Sequence, residues 1–322
     1  MRFYDIFNGD ADGLCALHQL RLAEPRAATL ITGVKRDIAL LARVTPEPGD
    51  ELTVLDISLD TNRQALLGAL KIGARVRYFD HHFAGEIPHH RLLEAHIETG
   101  AAFCTSLIVD RHLGGRYRAW AVVAAFGDNL LAQAYSAAAE LGLSDADTGT
   151  LKELGECLNY NAYGESVEDL HFHPAELYRR LHEHADPLAY AANAQEFVIL
   201  RNARAADLQQ ARALHLDTPA CGCIAVFMPD SAWSHRVCGA FANELAQKHP
   251  GHAIALLVAR DSGYRVSLRA PHGMQNLARQ FDSGNGRETA AGIQFLPGQD
   301  VDRLMRRLVQ DFGAAAGPNA GC

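Results

Sequence analysis

The sequence has no apolar run near the roughly 18 residues that a membrane-spanning helix needs. Its first residues break into Asn8-Gly9-Asp10 before they could form the apolar stretch of a signal peptide. We therefore expect a cytoplasmic protein without membrane contacts. Tracts rich in Lys and Arg are also missing, and the formal net charge is −8. Such a chain repels a long nucleic acid duplex unless its cations are gathered in one groove, so a small phosphorylated ligand fits better.

Paired cysteine clusters, which mark structural zinc sites, are absent too. The seven cysteines are an odd number, and only Cys221 and Cys223 lie close together. We therefore expect reduced thiols.

The composition is that of a globular protein. The chain has 322 residues, of which 48% are hydrophobic and 21% charged, and its length suits two domains. We expect a first domain at residues 1–195, a helical connector at 196–219, a second domain at 220–313 and a flexible tail at 314–322.

The pattern of apolar runs predicts an α/β fold in both domains. In the first 130 residues, short apolar runs at residues 2–7, 28–32, 51–55 and 75–79 alternate with helical stretches, as in a parallel sheet with crossover helices. Residues 132–212 are predicted to be mostly helical, with breaks at Gly142, Gly149 and Gly164. A smaller α/β unit follows, with strands at 224–228, 253–258 and 264–268.

The segment Asp10-Ala11-Asp12-Gly13 places two alternating carboxylates between a predicted strand and a helix. Alternation lets Asp10 and Asp12 reach two different cations, and Asn8 could add an amide oxygen or a supporting hydrogen bond. The alternative is an acidic helix start that only complements the helix dipole.

Further carboxylates follow later apolar segments. Asp56 comes after one predicted strand, and Asp80-His81-His82 comes after the next. Because the carboxyl ends of parallel strands share one edge, Asp56 could bridge two ions while His81 supplies a nitrogen ligand. The alternative for the histidines is a solvated loop. Asp128 follows a buried segment, where it either faces a cation or caps a helix.

The second domain offers a candidate phosphate site. Arg269 ends a predicted strand, and a glycine-rich loop spans residues 284–292. Backbone amides of Gly284, Asn285 and Gly286 could approach phosphate, with Arg269 and Arg287 gripping the same anion. A plain turn is the alternative.

These motifs, in this order, resemble those of the DHH phosphoesterase superfamily, in the branch with a DHH domain followed by a DHH-associated domain. The resemblance covers nearly the whole chain. The superfamily includes RecJ-like exonucleases, nanoRNases and pAp phosphatases. It implies a catalytic, metal-binding first domain and a substrate-binding second domain.

The resemblance also implies roles for single residues. It implies two divalent ions, with Mn²⁺ favoured over Mg²⁺ or Co²⁺. Metal ligands would be Asp10, Asp12, Asp56, His81 and Asp128. Asp80 would be a ligand or its support, and His82 would contact the substrate phosphate, so that Asp80, His81 and His82 form the catalytic group. Arg269, Gly284, Asn285, Gly286 and Arg287 would bind substrate.

Two departures from the family pattern stand out. Many relatives have His or Asp where this chain has Asn8, and many have His where this chain has Arg287. The first departure weakens one metal site, and the second bears on substrate choice.

We expect two-metal hydrolysis of dinucleotides or very short oligonucleotides, with the second domain holding one end of the substrate across an interdomain cleft. A pAp 3′-phosphatase, a pyrophosphatase and a non-catalytic nucleotide sensor are the alternatives. The sequence leaves open whether the chain is a monomer or a homodimer.

Overall fold

The computed structural model describes residues 1–313, and the flexible tail expected at 314–322 lies outside the described residues. The chain divides into two compact units, Met1–Ala203 and Arg204–Cys322. The domain boundaries expected from the sequence stay a prediction. None of the helices in residues 1–313 is long and apolar enough to cross a membrane.

The first unit contains a five-stranded, fully parallel sheet in the order β2-β1-β3-β4-β5. Its strands are β1 Phe3–Phe7, β2 Thr29–Ile31, β3 Glu51–Leu55, β4 Arg75–Asp80 and β5 Leu93–Ile97. The inner strand β3 is buried over its last four residues, because a parallel sheet is covered on both faces. The predicted parallel sheet is therefore confirmed.

Helices cover the sheet and form most of the remainder of the unit. They are α1 Ala11–Ala23, α2 Leu59–Ile72, α3 Thr105–His112, α4 Arg118–Gly127, α5 Leu131–Glu140, α6 Asp145–Ala162, α7 Pro174–Leu181, α8 Pro187–Asn193 and α9 Gln195–Arg212. The chain passes from the first unit to the second within α9.

The core of the first unit explains why α1 and α2 differ in sequence. Helix α2 presents one apolar face, with Leu66 and Leu70 packing with Val54 and Tyr78 of the sheet. Helix α1 is buried along nearly its whole length, which matches its almost uncharged sequence.

The break expected at Gly149 is wrong. Gly149 lies inside α6, where a glycine costs only about 1 kcal/mol relative to alanine. Ser144 caps the helix by accepting a hydrogen bond from the Asp147 amide, and Leu151 and Leu154 bury its inner face. Packing and capping together outweigh that cost.

The second unit is a mixed six-stranded sheet in the order β10-β11-β9-β8-β7-β6, in which only β7 and β8 are parallel neighbours. Its elements are β6 Asp217–Ala220, β7 Cys223–Met228, α10 Ala232–Lys248, β8 Ala253–Arg260, β9 Gly263–Arg269, α11 Met274–Ala278, β10 Gly284–Gly286, β11 Ala290–Pro297 and α12 Val301–Phe312. Leu304 and Leu308 of α12 pack in the same core cluster as Leu257 and Leu268 of the sheet. The predicted second α/β unit is thus confirmed.

The glycine-rich segment at 284–292 is not an open loop. It forms the hairpin of β10 and β11, in which Gly284 pairs with Ile293 and Gly286 with Ala291. The Arg287 amide donates to the Ala290 carbonyl at 2.8 Å and closes the turn. Small residues permit this close strand pairing as readily as they would permit a phosphate loop.

Candidate metal centre

The predicted acidic residues of the first unit meet at one edge of the parallel sheet. The sheet order reverses direction between β1 and β3, and the carboxyl ends of strands at such a point surround a crevice. Asp10 follows β1 and caps α1, Asp56 follows β3, and Asp80 ends β4. The Asp56 amide donates to the Phe79 carbonyl at 3.0 Å, which fixes the β3 end against β4.

Three carboxylates surround the His81 ring. Its Nε2 atom lies 3.4 Å from Asp56 Oδ1, 3.7 Å from Asp128 Oδ2 and 3.9 Å from Asp12 Oδ2. Two ligands bound to one ion at about 2.1 Å in octahedral geometry lie about 3 Å apart. Close ligand atoms form two groups here, Asp12 with His81 and Asp128, and Asp56 with His81 and His82. Their oxygen-rich donor set suits Mn²⁺ or Mg²⁺.

Backbone amides hold Asp12 in place. The amides of Thr105 and Ser106, at the start of α3, each donate to one Asp12 carboxylate oxygen at 2.7 Å. The Ser106 hydroxyl also donates to the Asp12 carbonyl at 2.8 Å. The positive end of the α3 dipole therefore faces a buried carboxylate.

Asp56 has a strained backbone. Its φ is +59°, in the left-handed region that a residue other than glycine enters at a cost of about 1–2 kcal/mol. The Thr105 hydroxyl donates to Asp56 Oδ1 at 3.0 Å and orients the carboxylate. Strain of this kind is concentrated at functional sites.

Burial and mutual repulsion act on these acids. Burial, followed by repulsion from Asp128, raises the pKa of Asp12. Burial, followed by repulsion from Asp12 and Asp10, raises the pKa of Asp56 well above its ordinary value. A divalent cation among these carboxylates would relieve both effects.

Asp128 lies at the end of a helix, and its role as a metal ligand stays a prediction. It is the C-cap residue of α4, and its side chain is 20% exposed beside His81. A carboxylate at the negative end of a helix dipole is unfavourable by itself. A nearby cation would compensate for that position.

Asp80 supports His82. Its Oδ1 atom lies 2.7 Å from His82 Nδ1, while its buried Oδ2 atom has no hydrogen-bond partner within residues 1–313. Burial lowers the pKa of His82, but the hydrogen bond and charge of Asp80 outweigh it and raise the pKa overall. Asp80 belongs to none of the groups of three close ligand atoms. Whether it is a ligand or a support for one stays a prediction.

Asn8 and Asp10 contact main-chain groups and Lys35 and do not join the close ligand atoms around His81. The Asn8 Oδ1 atom accepts from the Asp10 amide at 3.3 Å, and Nδ2 donates to the Lys35 carbonyl at 3.1 Å. Asn8 therefore makes the supporting hydrogen bonds that were the alternative to coordination. Asp10 forms an ion pair with the Lys35 ammonium. Burial acts to raise the Asp10 pKa, but Lys35 and the α1 amides lower it to about 2.

Sequence inspection missed three contributors to this centre: Lys35, Thr105 and Ser106. Lys35 follows β2, so the strand-end rule that selected the acids also applies to it. Thr105 and Ser106 act largely through main-chain amides, which no side-chain motif reveals. The only available signal was their position at the start of a helix.

The predicted substrate residues of the second unit lie on its sheet. Arg269 ends β9 and donates through Nε to Asn243 Oδ1 at 2.7 Å. Arg287 lies in the exposed turn of the hairpin. The Gly286 amide donates to Asn285 Oδ1 at 2.8 Å, and the Gly284 amide donates to the Phe281 carbonyl at 2.8 Å. The Gly284 and Gly286 amides are thus engaged within the unit, and the substrate-binding roles of Arg269 and Arg287 stay predictions.

Apart from the ligand atoms around His81, another group of close ligand atoms lies at the β5 edge, and the sequence did not suggest it. It consists of Glu94, His96 and His112. Arg77 Nη2 is 3.2 Å from His112 Nε2, and Arg77 Nε is 3.6 Å from Glu94. This guanidinium already supplies the positive charge there, which disfavours a metal ion.

The sequence matches no protein-family model and no curated protein. Among solved structures, the fold is similar to exonuclease RecJ bound to manganese, at 18% identity and a TM-score of 0.60, covering 97% of this chain and 89% of that chain. It is also similar to PggH, a pGpG-specific phosphodiesterase from Vibrio cholerae, at 13% identity and a TM-score of 0.55, covering 97% and 99% of the two chains. An exopolyphosphatase-related protein from Bacteroides fragilis has 14% identity and a TM-score of 0.50, covering 97% and 92%. These similarities confirm the fold that the resemblance implies.

Proposed function

We propose that this chain, with its DHH-type fold, is a divalent-metal-dependent phosphodiesterase that hydrolyses dinucleotides or very short oligonucleotides to mononucleotides. Mn²⁺ is the proposed ion, with Mg²⁺ and Co²⁺ as alternatives. One observation carries the proposal: Asp12, Asp56 and Asp128 converge on His81 at the carboxyl edge of a parallel sheet. A RecJ neighbour with manganese supports the choice of ion.

The residues fit hydrolysis of a phosphate ester. A divalent ion bound here would lower the pKa of a bound water and neutralise charge on the phosphate. His82 would contact the phosphate, because Asp80 engages its Nδ1 atom and leaves Nε2 for a substrate oxygen. The His82 side chain is 44% exposed, so a ligand can reach it.

The surface beside His82 favours a substrate that carries a nucleobase. Phe83 follows His82 directly and is 73% exposed, and its carbonyl accepts from the Ser58 hydroxyl at 2.8 Å. An exposed aromatic ring can stack on a base, with a contribution of about 1–3 kcal/mol. Inorganic polyphosphate has no base that could stack on this ring. A neighbour that acts on pGpG, a dinucleotide, also supports this substrate class.

Charge argues for a short substrate. The net charge of −8 disfavours long polyanions, and we propose no duplex substrate and no membrane partner. Arg269 and Arg287 remain the proposed phosphate contacts of the second unit, together with Gly284, Asn285 and Gly286. Whether the enzyme works as a monomer or a homodimer does not enter the proposal.

The test is a product-resolved assay with Mn²⁺ on a dinucleotide, pAp, pyrophosphate and a longer oligonucleotide. We expect mononucleotides from the dinucleotide at the highest kcat/KM. Asp12→Asn should lower kcat/KM by roughly 100-fold or more, because it removes charge from the ion site. The matched control Asp145→Asn changes an exposed acid of α6 and should leave kcat/KM within about twofold.

His82→Gln should lower kcat/KM without changing Mn²⁺ affinity, and His89→Gln at an exposed position is its control. Faster turnover of pAp or pyrophosphate would replace the proposed substrate. Mn²⁺ binding without turnover of any of the four would identify a nucleotide sensor and overturn the proposal.

A further inference from the structure

Lys35 places a positive charge inside the cluster of acids. Its Nζ forms an ion pair with Asp10 Oδ2 and lies 3.4 Å from Asp128 Oδ1. The Lys35 side chain is 29% exposed, and the ring of Tyr163 lies 5.6 Å from Nζ. The ammonium therefore sits against two of the carboxylates that the resemblance assigns to metal ions.

Local structure fixes this position. The Asn8 side chain donates to the Lys35 carbonyl at 3.1 Å, and the Lys35 amide donates to the Ala162 carbonyl at 2.9 Å. Gly9 allows the close approach, because a Cβ atom there would lie 2.1 Å from the Gly33 carbonyl oxygen. The residue that departs from the family pattern, Asn8, is thus the residue that anchors Lys35.

The oxygens of Asp10 are already engaged. Oδ1 accepts from the amides of Asp12 at 3.0 Å and Gly13 at 3.1 Å, and Oδ2 pairs with Lys35. Within residues 1–313, two groups of close ligand atoms share His81: one consists of Asp12, His81 and Asp128, and the other of Asp56, His81 and His82. Neither group includes Asp10. A cation between Asp10 and Asp56 would have to displace the ammonium.

Charge balance supports one ion. Asp10, Asp12, Asp56 and Asp128 supply four negative charges when ionised. One divalent ion and the Lys35 ammonium leave a single negative charge. A second divalent ion would place two divalent cations within a few ångströms of the ammonium, which is unfavourable at low effective dielectric.

We infer that the Lys35 ammonium replaces one of the two ions expected from the resemblance, so that the centre binds a single divalent ion at Asp12, Asp56, His81 and Asp128. The inference deepens the proposed function and rests on it only for the reaction, since the number of ions is measured without substrate. Lys35 is then a fixed monovalent cation that balances Asp10 and one oxygen of Asp128. The chemistry of the centre becomes that of one ion plus one ammonium.

The first experiment counts ions in the wild-type protein. Metal-free protein is equilibrated with Mn²⁺, and bound manganese is measured by equilibrium dialysis with elemental analysis. Electron paramagnetic resonance then reports whether the ions are isolated or exchange-coupled. We expect one Mn²⁺ per chain with the hyperfine pattern of an isolated ion. Two ions per chain with a coupled spectrum overturn the inference, although hydrolysis of the dinucleotide would still support the proposed function.

The second experiment removes the ammonium. Lys35→Met keeps most of the unbranched side chain, removes the ammonium and frees Asp10. A second, weaker Mn²⁺ should therefore bind, and the spectrum of a coupled pair should appear. The matched control is Lys71→Met, the same change at an exposed position of α2, which should still bind one ion. Unchanged stoichiometry and spectrum in folded Lys35→Met overturn the inference. If that variant does not fold, the wild-type ion count and spectrum decide alone.

Discussion

At the scale of single residues, Asp56 combines backbone strain with charge repulsion. Its φ of +59° and its burial among Asp10 and Asp12 both oppose folding in the absence of a cation. Asparagine tolerates the left-handed region better than most residues and carries no charge. Aspartate at position 56 therefore favours cation binding at the expense of the stability of the metal-free fold.

We predict that Asp56→Asn raises the stability of the metal-free protein while abolishing stabilisation by Mn²⁺. The expected gain is about 1 kcal/mol, the usual scale for relieving such strain or repulsion. Asp56→Ala should be less stable than Asp56→Asn by about 1 kcal/mol, because alanine pays the full cost of the left-handed backbone. Urea unfolding with EDTA and with Mn²⁺ measures both effects. Equal destabilisation by Asn and Ala in EDTA would contradict the account.

His18 is a second residue whose environment determines its chemistry. Its Nε2 atom donates to the His184 carbonyl at 2.9 Å, and its Nδ1 atom lies 3.1 Å from His182 Nδ1. The ring is fully buried, with its centroid 4.6 Å from that of Trp120. Burial, followed by the charge of His182, lowers the pKa of His18 to about 3. His18 is thus a buried histidine that packs beside the half-buried His182.

This lowered pKa predicts a loss of stability in mild acid. Below pH 6.5 the unfolded chain binds a proton at His18, whereas the folded chain does not until about pH 3. His18 therefore contributes full stability above pH 6.5, and this contribution falls by about 1.4 kcal/mol per pH unit as the pH drops. Urea unfolding at pH 7, 6 and 5 should show a shallower pH dependence for His18→Gln than for wild type. The control His89→Gln, at an exposed site, should follow wild type. Parallel curves for wild type and His18→Gln would rule out this role.

At the scale of elements, the crossing of α4 and α6 determines where Asp128 lies. Gly127 ends α4 and contacts Gly155 of α6. A Cβ atom at Gly155 would lie 2.2 Å from the Val123 carbonyl oxygen, so the two helices approach through backbone atoms. Because Asp128 directly follows Gly127, helix packing is coupled to the ion site.

Gly155→Ala should therefore lower both stability and Mn²⁺ affinity. Overpacking at a tight contact costs about 1–3 kcal/mol, and a displaced α4 end would move Asp128 away from His81. Gly149→Ala is the matched control in the same helix, since nothing lies within 4 Å of a Cβ there. It should stabilise the protein by about 0.5–1 kcal/mol and leave Mn²⁺ affinity unchanged. Urea unfolding and calorimetric titration with Mn²⁺ measure both variants. Equal effects of the two substitutions would contradict the proposed coupling.

At the scale of the whole molecule, the sequence predicted the features that depend on the pattern of apolar and acidic residues. Apolar runs ending in Asp56 and Asp80 predicted both the strands and the shared edge, because parallel strands place their carboxyl ends together. The position of His81 beside Asp12 followed from that topology, whereas Asp128 ends helix α4 and is placed by helix packing. The exact ligand roles stay predictions.

What the sequence did not reveal depends on long-range contacts. Lys35 was overlooked because a search for ligands selects acids and imidazoles, whereas its position beside Asp10 depends on the Gly9 approach to Gly33. The hairpin at 284–292 was mistaken for an open loop, since glycine permits either conformation.

The anchoring of Asp12 by the amides of Thr105 and Ser106 has an evolutionary consequence. A backbone amide donates to Asp12 whatever side chain its residue carries, provided that α3 begins at the same residue. A substitution at position 106 would keep the amide bond to the Asp12 carboxylate but lose the hydroxyl bond to the Asp12 carbonyl. Position 105 is constrained in the same way, because its hydroxyl reaches Asp56. Among related sequences, the residue at which α3 begins should therefore be conserved more strictly than the residue types at its first two positions.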